Sequence, residues 1–164
     1  MATPEERLAE LGLEVPEVSP PVAVYIPAVR SGNQVFTSGQ LPMRAGELMA
    51  TGIVGAGVTP EEAFACAEQC ALNAIAAIRA EVGNLARVKR VVKVVGFVAS
   101  TPDFTGQPGV INGASELLGK VFGDAGVHAR SAVGVAALPL GAPVEVEVLV
   151  EISEAEPPAE PSAE

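Results

Sequence analysis

The chain has 164 residues, 49% apolar and 18% charged, with two cysteines, one histidine and a formal net charge of −10. That length points to one domain, and the composition excludes global disorder, a disulfide scaffold and a multi-histidine zinc centre. The charge is uneven: residues 1–20 and 153–164 each carry a net −4, and 21–152 only −2.

Thr3-Pro4-Glu5-Glu6 is a capping box with proline at the first helical position, so a short helix is expected through Leu8 and Leu11 to a stop at Gly12. This start has neither the basic region nor the apolar stretch of a signal peptide, so a cytoplasmic location is expected. No uncharged apolar run reaches the roughly 18 residues of a membrane-spanning helix, so no membrane partner is expected. A connector with Pro16, Pro20 and Pro21 follows, completing an N-terminal arm over residues 1–20.

Residues 22–30 and 34–38 read as strands, and Ser31-Gly32-Asn33 between them as a hairpin turn. A weaker strand is expected near 47–54. Thr59-Pro60-Glu61-Glu62 repeats the capping box and opens the strongest helix, with Phe64, Ala67, Ala71, Ala74, Ile75 and Ile78 at helical spacing down to Val82-Gly83. Residues 88–99, rich in β-branched side chains, read as a strand too continuously apolar to have one solvated face. Val110, Ala114, Leu117, Leu118, Val121 and Phe122 mark a second long helix over 108–123, ended by Gly123 or Gly126. Strands over 131–138 and 143–152 follow. Three prolines and four glutamates without a large apolar residue make 153–164 a disordered acidic tail. Two long helices and one sheet make an α+β layer sandwich. The helices cover one sheet face only, and an apolar second face implies homo-oligomerisation.

The chemistry-bearing residues are few. Cys66 and Cys70 have the wrong spacing for a redox pair and read as packing residues. Gly52-Ile-Val-Gly-Ala-Gly57 lacks the lysine of a phosphate loop and reads as the approach to the Thr59 cap. Arg87, Lys89, Arg90 and Lys93 form the one basic cluster; without interleaved aromatics it reads as a solvated strand edge, which argues with the acidity against a nucleic-acid partner. His128 reads as structural or surface. Arg130 is the one charge between Asp124 and Glu145, and is either paired structurally or placed to hold an anion through its planar fork.

Gly32-Asn-Gln-Val-Phe-Thr-Ser-Gly-Gln-Leu-Pro42, Ala129-Arg-Ser-Ala-Val-Gly-Val-Ala-Ala-Leu-Pro139 and Val144-Glu-Val-Glu147 closely resemble the signature segments of the Rid/YjgF family, the reactive intermediate deaminases, also labelled endoribonuclease L-PSP. The likeness spans residues 21–152, the expected domain. Residues 1–20 and 96–101 look more like a longer, less characterised branch. The resemblance implies a chorismate mutase-like (YjgF-like) fold, a sheet with two long helices packed on one face, closed into a homotrimer with sites in clefts between subunits. It implies hydrolysis of 2-imino acids and their enamine tautomers to 2-keto acids and ammonia, the activity of a 2-iminobutanoate/2-iminopropanoate deaminase, with no cofactor and no metal. By position, Arg130 matches the carboxylate-binding arginine, Glu145 the glutamate that positions water, Tyr25 the cleft tyrosine and Ser38 the serine of Thr-Ser-Gly-Gln. Asn112 matches a helix asparagine with the spacing one residue longer. Ala132 stands where the best-known deaminases often carry cysteine, and the loop 101–109 is rich in proline and glycine. Two other readings stand beside the deaminase: a non-catalytic module holding a small carboxylate or a protein partner, and an endoribonuclease.

Overall fold

The computed structural model describes residues 1–18 and 24–154. In chain order the elements are α1 (Pro4–Glu10), β1 (Ala28–Ser31), β2 (Gln34–Thr37), β3 (Met43–Arg44), β4 (Glu47–Leu48), β5 (Ile53–Val54), β6 (Gly57–Val58), α2 (Pro60–Val82), β7 (Val88–Ala99), α3 (Gln107–Phe122), β8 (Ala129–Val135) and β9 (Val144–Ile152). The main sheet runs β1-β2-β9-β7-β8. Its pairs are antiparallel except β7 with β8, which α3 joins as a crossover. The result is a mixed sheet with α2 and α3 packed on one face, the expected α+β arrangement.

Local chemistry explains the helix boundaries. At Thr3 and Thr59 both hydrogen bonds of the capping box form, and each proline occupies a position whose N–H would have no partner. Gly83 and Gly123 end α2 and α3 with positive φ. α2 buries Ala63, Ala67, Ala71 and Ala74 among larger side chains. α3 brings Gly113 so close that a Cβ there would overlap the Phe64 carbonyl. Small residues on both helices set this approach. The arm packs onto the same body: Leu8 is buried in the core, Leu13 and Val15 pack against it, and Glu5 accepts from the Leu85 N–H at 2.8 Å.

β7 shows why its sequence is so continuously apolar. Val88, Val91 and Val94 are all buried although three residues apart, because register shifts at Val88/Arg90 and Val91/Lys93 return each to the helix side. The opposite sheet face carries Val29, Phe36, Leu149, Val95, Phe97 and Val133, interspersed with Lys93, Ser131, Glu145 and Glu147. Val29, Phe36 and Val133 are 49%, 41% and 46% exposed in the single chain. No helix is long and apolar enough to cross a membrane among the described residues.

Several expected boundaries move. The strand at 22–30 is ladder-paired only from Ala28; Val24, Tyr25 and Ile26 are exposed, Pro27 has no N–H to donate, and residues 22 and 23 lie outside the described residues. The single strand at 47–54 is replaced by β4 and β5, separated by Gly52 at φ 123°. β8 starts two residues earlier than expected and ends at Val135, whose carbonyl accepts from the Ser100 N–H. β7 is an inner strand, so the basic edge is edge-like only before Lys93, where pairing with β8 begins. The expected tail lies outside the described residues beyond Glu154, as do Pro20 and Pro21 of the arm.

Candidate active site

Arg130 pairs with Val94 across the β8–β7 ladder, so its side chain leaves the sheet on the helix side. β8 is an edge strand, and the side chain lies along the flank of α3. There Nη1 donates to Asn112 Oδ1 at 2.8 Å and to Ser115 Oγ at 3.2 Å, and Nη2 donates to the Pro108 carbonyl at 3.2 Å. Pro108, Asn112 and Ser115 are four and three residues apart, one face of a helix. Three of the five guanidinium N–H groups are thereby used. Nε–H and one N–H of Nη2 have no partner among the described residues, and these are donors a carboxylate can take.

The sequence left Arg130 open between a structural pair and an anion site. No carboxylate lies among its partners; all three are neutral acceptors, so its charge remains uncompensated by them. Asn112, which the resemblance matched to a helix asparagine, lies beside it. Ser115 and His128 were not expected there. Ser115 Oγ lies 2.9 Å from His128 Nε2, and His128 Nδ1 lies 2.6 Å from the Gly126 carbonyl. One sequence signal could have pointed to them. His128 and Arg130 are two apart at a strand start, and Asn112 and Ser115 are three apart on a helix, so each pair shares a face.

Glu145 sits elsewhere. It pairs with Phe97, three residues along β7 from Val94, and therefore faces the side of the sheet away from the helices. At about 3.3 Å per residue and 4.8 Å per strand, Arg130 and Glu145 are roughly 10 Å apart along the sheet and roughly 10 Å across it, on opposite faces. The Glu145 carboxylate packs against Gly39, where a Cβ would overlap it. Partial burial, and secondarily the Glu147 charge, push its pKa above the ordinary carboxylate value.

Ser38 precedes Gly39 and ties down the segment before β1. Its Oγ donates to the Ile26 carbonyl at 2.5 Å and its N–H to the Pro27 carbonyl at 2.8 Å. Tyr25 lies in that segment, 53% exposed, with no hydrogen bond to Ser38 or Glu145. The expected residues thus form two groups within one chain: Arg130 with Asn112, and Glu145 beside Gly39 and Ser38, whose hydroxyl holds Ile26 next to Tyr25. A surface cleft of about 660 Å³, lined by Arg30, Asn33, Lys89 and Ser153 among others, includes neither group.

Other candidates take structural places. Burial pushes the thiols of Cys66 and Cys70 up; for Cys66 the Glu62 charge adds to this and Arg44 opposes it. Both are free and buried. The basic run is dispersed: Arg87 donates to the Val82 and Ser153 carbonyls, Lys89 pairs with Glu151 at 3.1 Å, and Lys93 donates to Ser131. Gly55 in the glycine-rich stretch lies against Thr101. Among the described residues, no group of three His, Cys, Asp or Glu side chains could hold a metal ion.

Residues 5–152 match the family model described as "YjgF/chorismate mutase-like, putative endoribonuclease". This chain belongs to that family, the Rid/YjgF family. Within it, the chain is 48% identical over 148 residues to Protein TCP17 of Trypanosoma cruzi, covering 90% of this chain and 92% of that one. It is 33% identical over 140 residues to a 2-iminobutanoate/2-iminopropanoate deaminase of Dermatophagoides farinae, covering 85% and 94%. A solved structure of the protein Atu1372 from Agrobacterium tumefaciens, described as of unknown function, superposes with a TM-score of 0.86 at 47% identity, covering 92% and 94%.

Proposed function

We propose that this Rid/YjgF chain hydrolyses small 2-imino acids, with their enamine tautomers, to 2-keto acids and ammonia. The observation that carries the reading is the Arg130 guanidinium, held by three neutral acceptors with two donors left over. Such a fork suits a small carboxylate. The similarity to a protein named as an iminobutanoate deaminase supplies the substrate class.

The chemistry asks little of the protein. The protonated imine carbon is already electrophilic. Arg130 and Asn112 fix the carboxylate end, and Ser38 and Tyr25 line the cleft around the rest. Water adds to the imine carbon while Glu145 accepts its proton. Glu145 then returns the proton to nitrogen; as the C–N bond breaks and ammonia leaves, the carbinol hydroxyl gives its own proton to Glu145 and the ketone remains. Proximity and one positioned base carry the rate, with no side-chain nucleophile. A raised carboxyl pKa suits a base that must also return its proton.

Because Arg130 and Glu145 face opposite sides of the sheet, this reading requires two copies, one supplying each group. A ring built from such head-to-tail contacts has identical clefts at every junction, and a homotrimer is the proposed closure. The sheet face away from the helices, with Val29, Phe36 and Val133 exposed on it, is the proposed buried surface.

An imine generated in situ by an amino-acid dehydratase or oxidase tests the proposal. Wild-type protein should accelerate release of ammonia and keto acid. Arg130→Ala should lose at least tenfold in kcat/KM, and Arg130→Lys should recover little, since a lysine cannot reproduce the fork. Ordinary turnover by Arg130→Ala would sink the assignment. Carboxylate binding without turnover would instead support a non-catalytic module. Ribonuclease action is not favoured: the chain has one histidine, and Lys89 is paired with Glu151.

A further inference from the structure

The proposed carboxylate site is supported by a second layer. A carbonyl oxygen only accepts hydrogen bonds, so the 2.6 Å contact to Gly126 requires the proton on His128 Nδ1. In the neutral ring Nε2 is then an acceptor, and the Ser115 hydroxyl donates to it across 2.9 Å. With its proton committed to His128, Ser115 presents only lone pairs to Arg130, whose Nη1 lies 3.2 Å away. With the ring neutral, the chain runs one way: Arg130 donates to Ser115, Ser115 to His128, and His128 to the Gly126 backbone.

We propose that Ser115 and His128 are positioning residues for Arg130. They keep Nη1 turned onto α3 and so aim Nε–H and the remaining Nη2–H away from the helix. β8 is the sheet edge, so among the described residues no further strand confines the arginine. His128 acts solely through Ser115. If His128 is removed, the hydroxyl rotates, can point its proton at the guanidinium, and ceases to be a dependable acceptor. The effect on ligand binding rests on the carboxylate reading of Arg130. The ordering of the guanidinium does not.

The test therefore has two readouts on the full-length protein. Ser115→Ala removes the acceptor and keeps a good helix former. His128→Leu removes the Nε2 acceptor, and His128→Gln supplies an amide oxygen in its place. In ¹⁵N-resolved NMR of the arginine side chain, wild type and His128→Gln should show hindered rotation of the Arg130 guanidinium. Ser115→Ala and His128→Leu should show rotational averaging. In parallel, pyruvate titration should give a Kd, and turnover a KM, raised about three- to tenfold in those two variants, with kcat within about twofold. Near-wild-type binding by His128→Gln would separate positioning from bulk packing. Unchanged guanidinium rotation in both Ser115→Ala and His128→Leu would overturn the proposal. Hindered rotation in a wild-type protein that does not bind pyruvate would leave the positioning standing and remove the carboxylate reading instead.

Discussion

Glu145 and Arg130 are ionisable groups in contrasting surroundings. Arg130 donates to three neutral acceptors, whereas partial burial, and secondarily the Glu147 charge, disfavours the charged form of Glu145. A carboxyl whose folded pKa is raised contributes stability below its unfolded pKa, and that contribution is lost as pH rises through the folded value. Glutamine mimics the protonated acid. Glu145→Gln should therefore melt higher than wild type at pH 7, with the gap closing as pH falls towards about 4. Because the group is only half-buried, solvent screening keeps the gain below about 1 kcal/mol, or under about 4 °C in Tm. Melting curves between these pH values check the sign. The same variant should lose turnover, since it cannot accept a proton from water.

α3 serves the core and the site with different faces. Val110, Ile111, Ala114, Leu117, Leu118 and Val121 are buried, while Pro108, Asn112 and Ser115 face Arg130. Its closest approach to α2 is at Gly113, and the obstacle to a larger residue is the Phe64 backbone carbonyl, which cannot swing aside like a side chain. Helix propensity alone favours Gly113→Ala by about 1 kcal/mol. The overlap should win: a net loss of about 1–3 kcal/mol is expected, seen as a Tm lowered by roughly 2–12 °C. An unchanged or raised Tm would show that α2 and α3 separate at little cost. Displacement of α3 should also weaken carboxylate binding, because Asn112 and Ser115 flank Gly113 on the same helix.

At the scale of the whole molecule, one sheet face is covered by helices and the other exposes Val29, Phe36 and Val133. The proposed partner is another copy of the chain. Phe36→Glu combined with Val133→Glu alters exposed positions, so the single chain should fold with little loss. Sedimentation should find trimeric wild type and a dissociated variant, and turnover should fall with the trimer. A variant that remains trimeric would remove this face from the proposed interface. Most of the net charge belongs to the two ends of the chain, and residues 21–152 carry only −2.

Local chemistry made much of this legible in advance. The two Thr-Pro-Glu-Glu boxes start helices where expected because a cap needs only neighbours in sequence. β7 occupies residues 88–99 as read because β-branched runs favour extended backbone. Long-range pairing was less legible: the sequence could not reveal that β7 lies between β9 and β8, or that two register shifts turn Val88, Val91 and Val94 to one face. The family resemblance named Arg130, Asn112, Ser38, Tyr25 and Glu145, and the fold alone sorted them into separate groups. His128 shows the difference most plainly. By itself it is one histidine without sequence neighbours of note, and its contact with Ser115 exists because a crossover helix returns beside an edge strand. The amino-acid sequence determined most of the elements, the family and a lone arginine in a long uncharged stretch. Tertiary structure decided which acceptors hold that arginine and which sheet face is left uncovered, because both depend on contacts between residues distant along the chain.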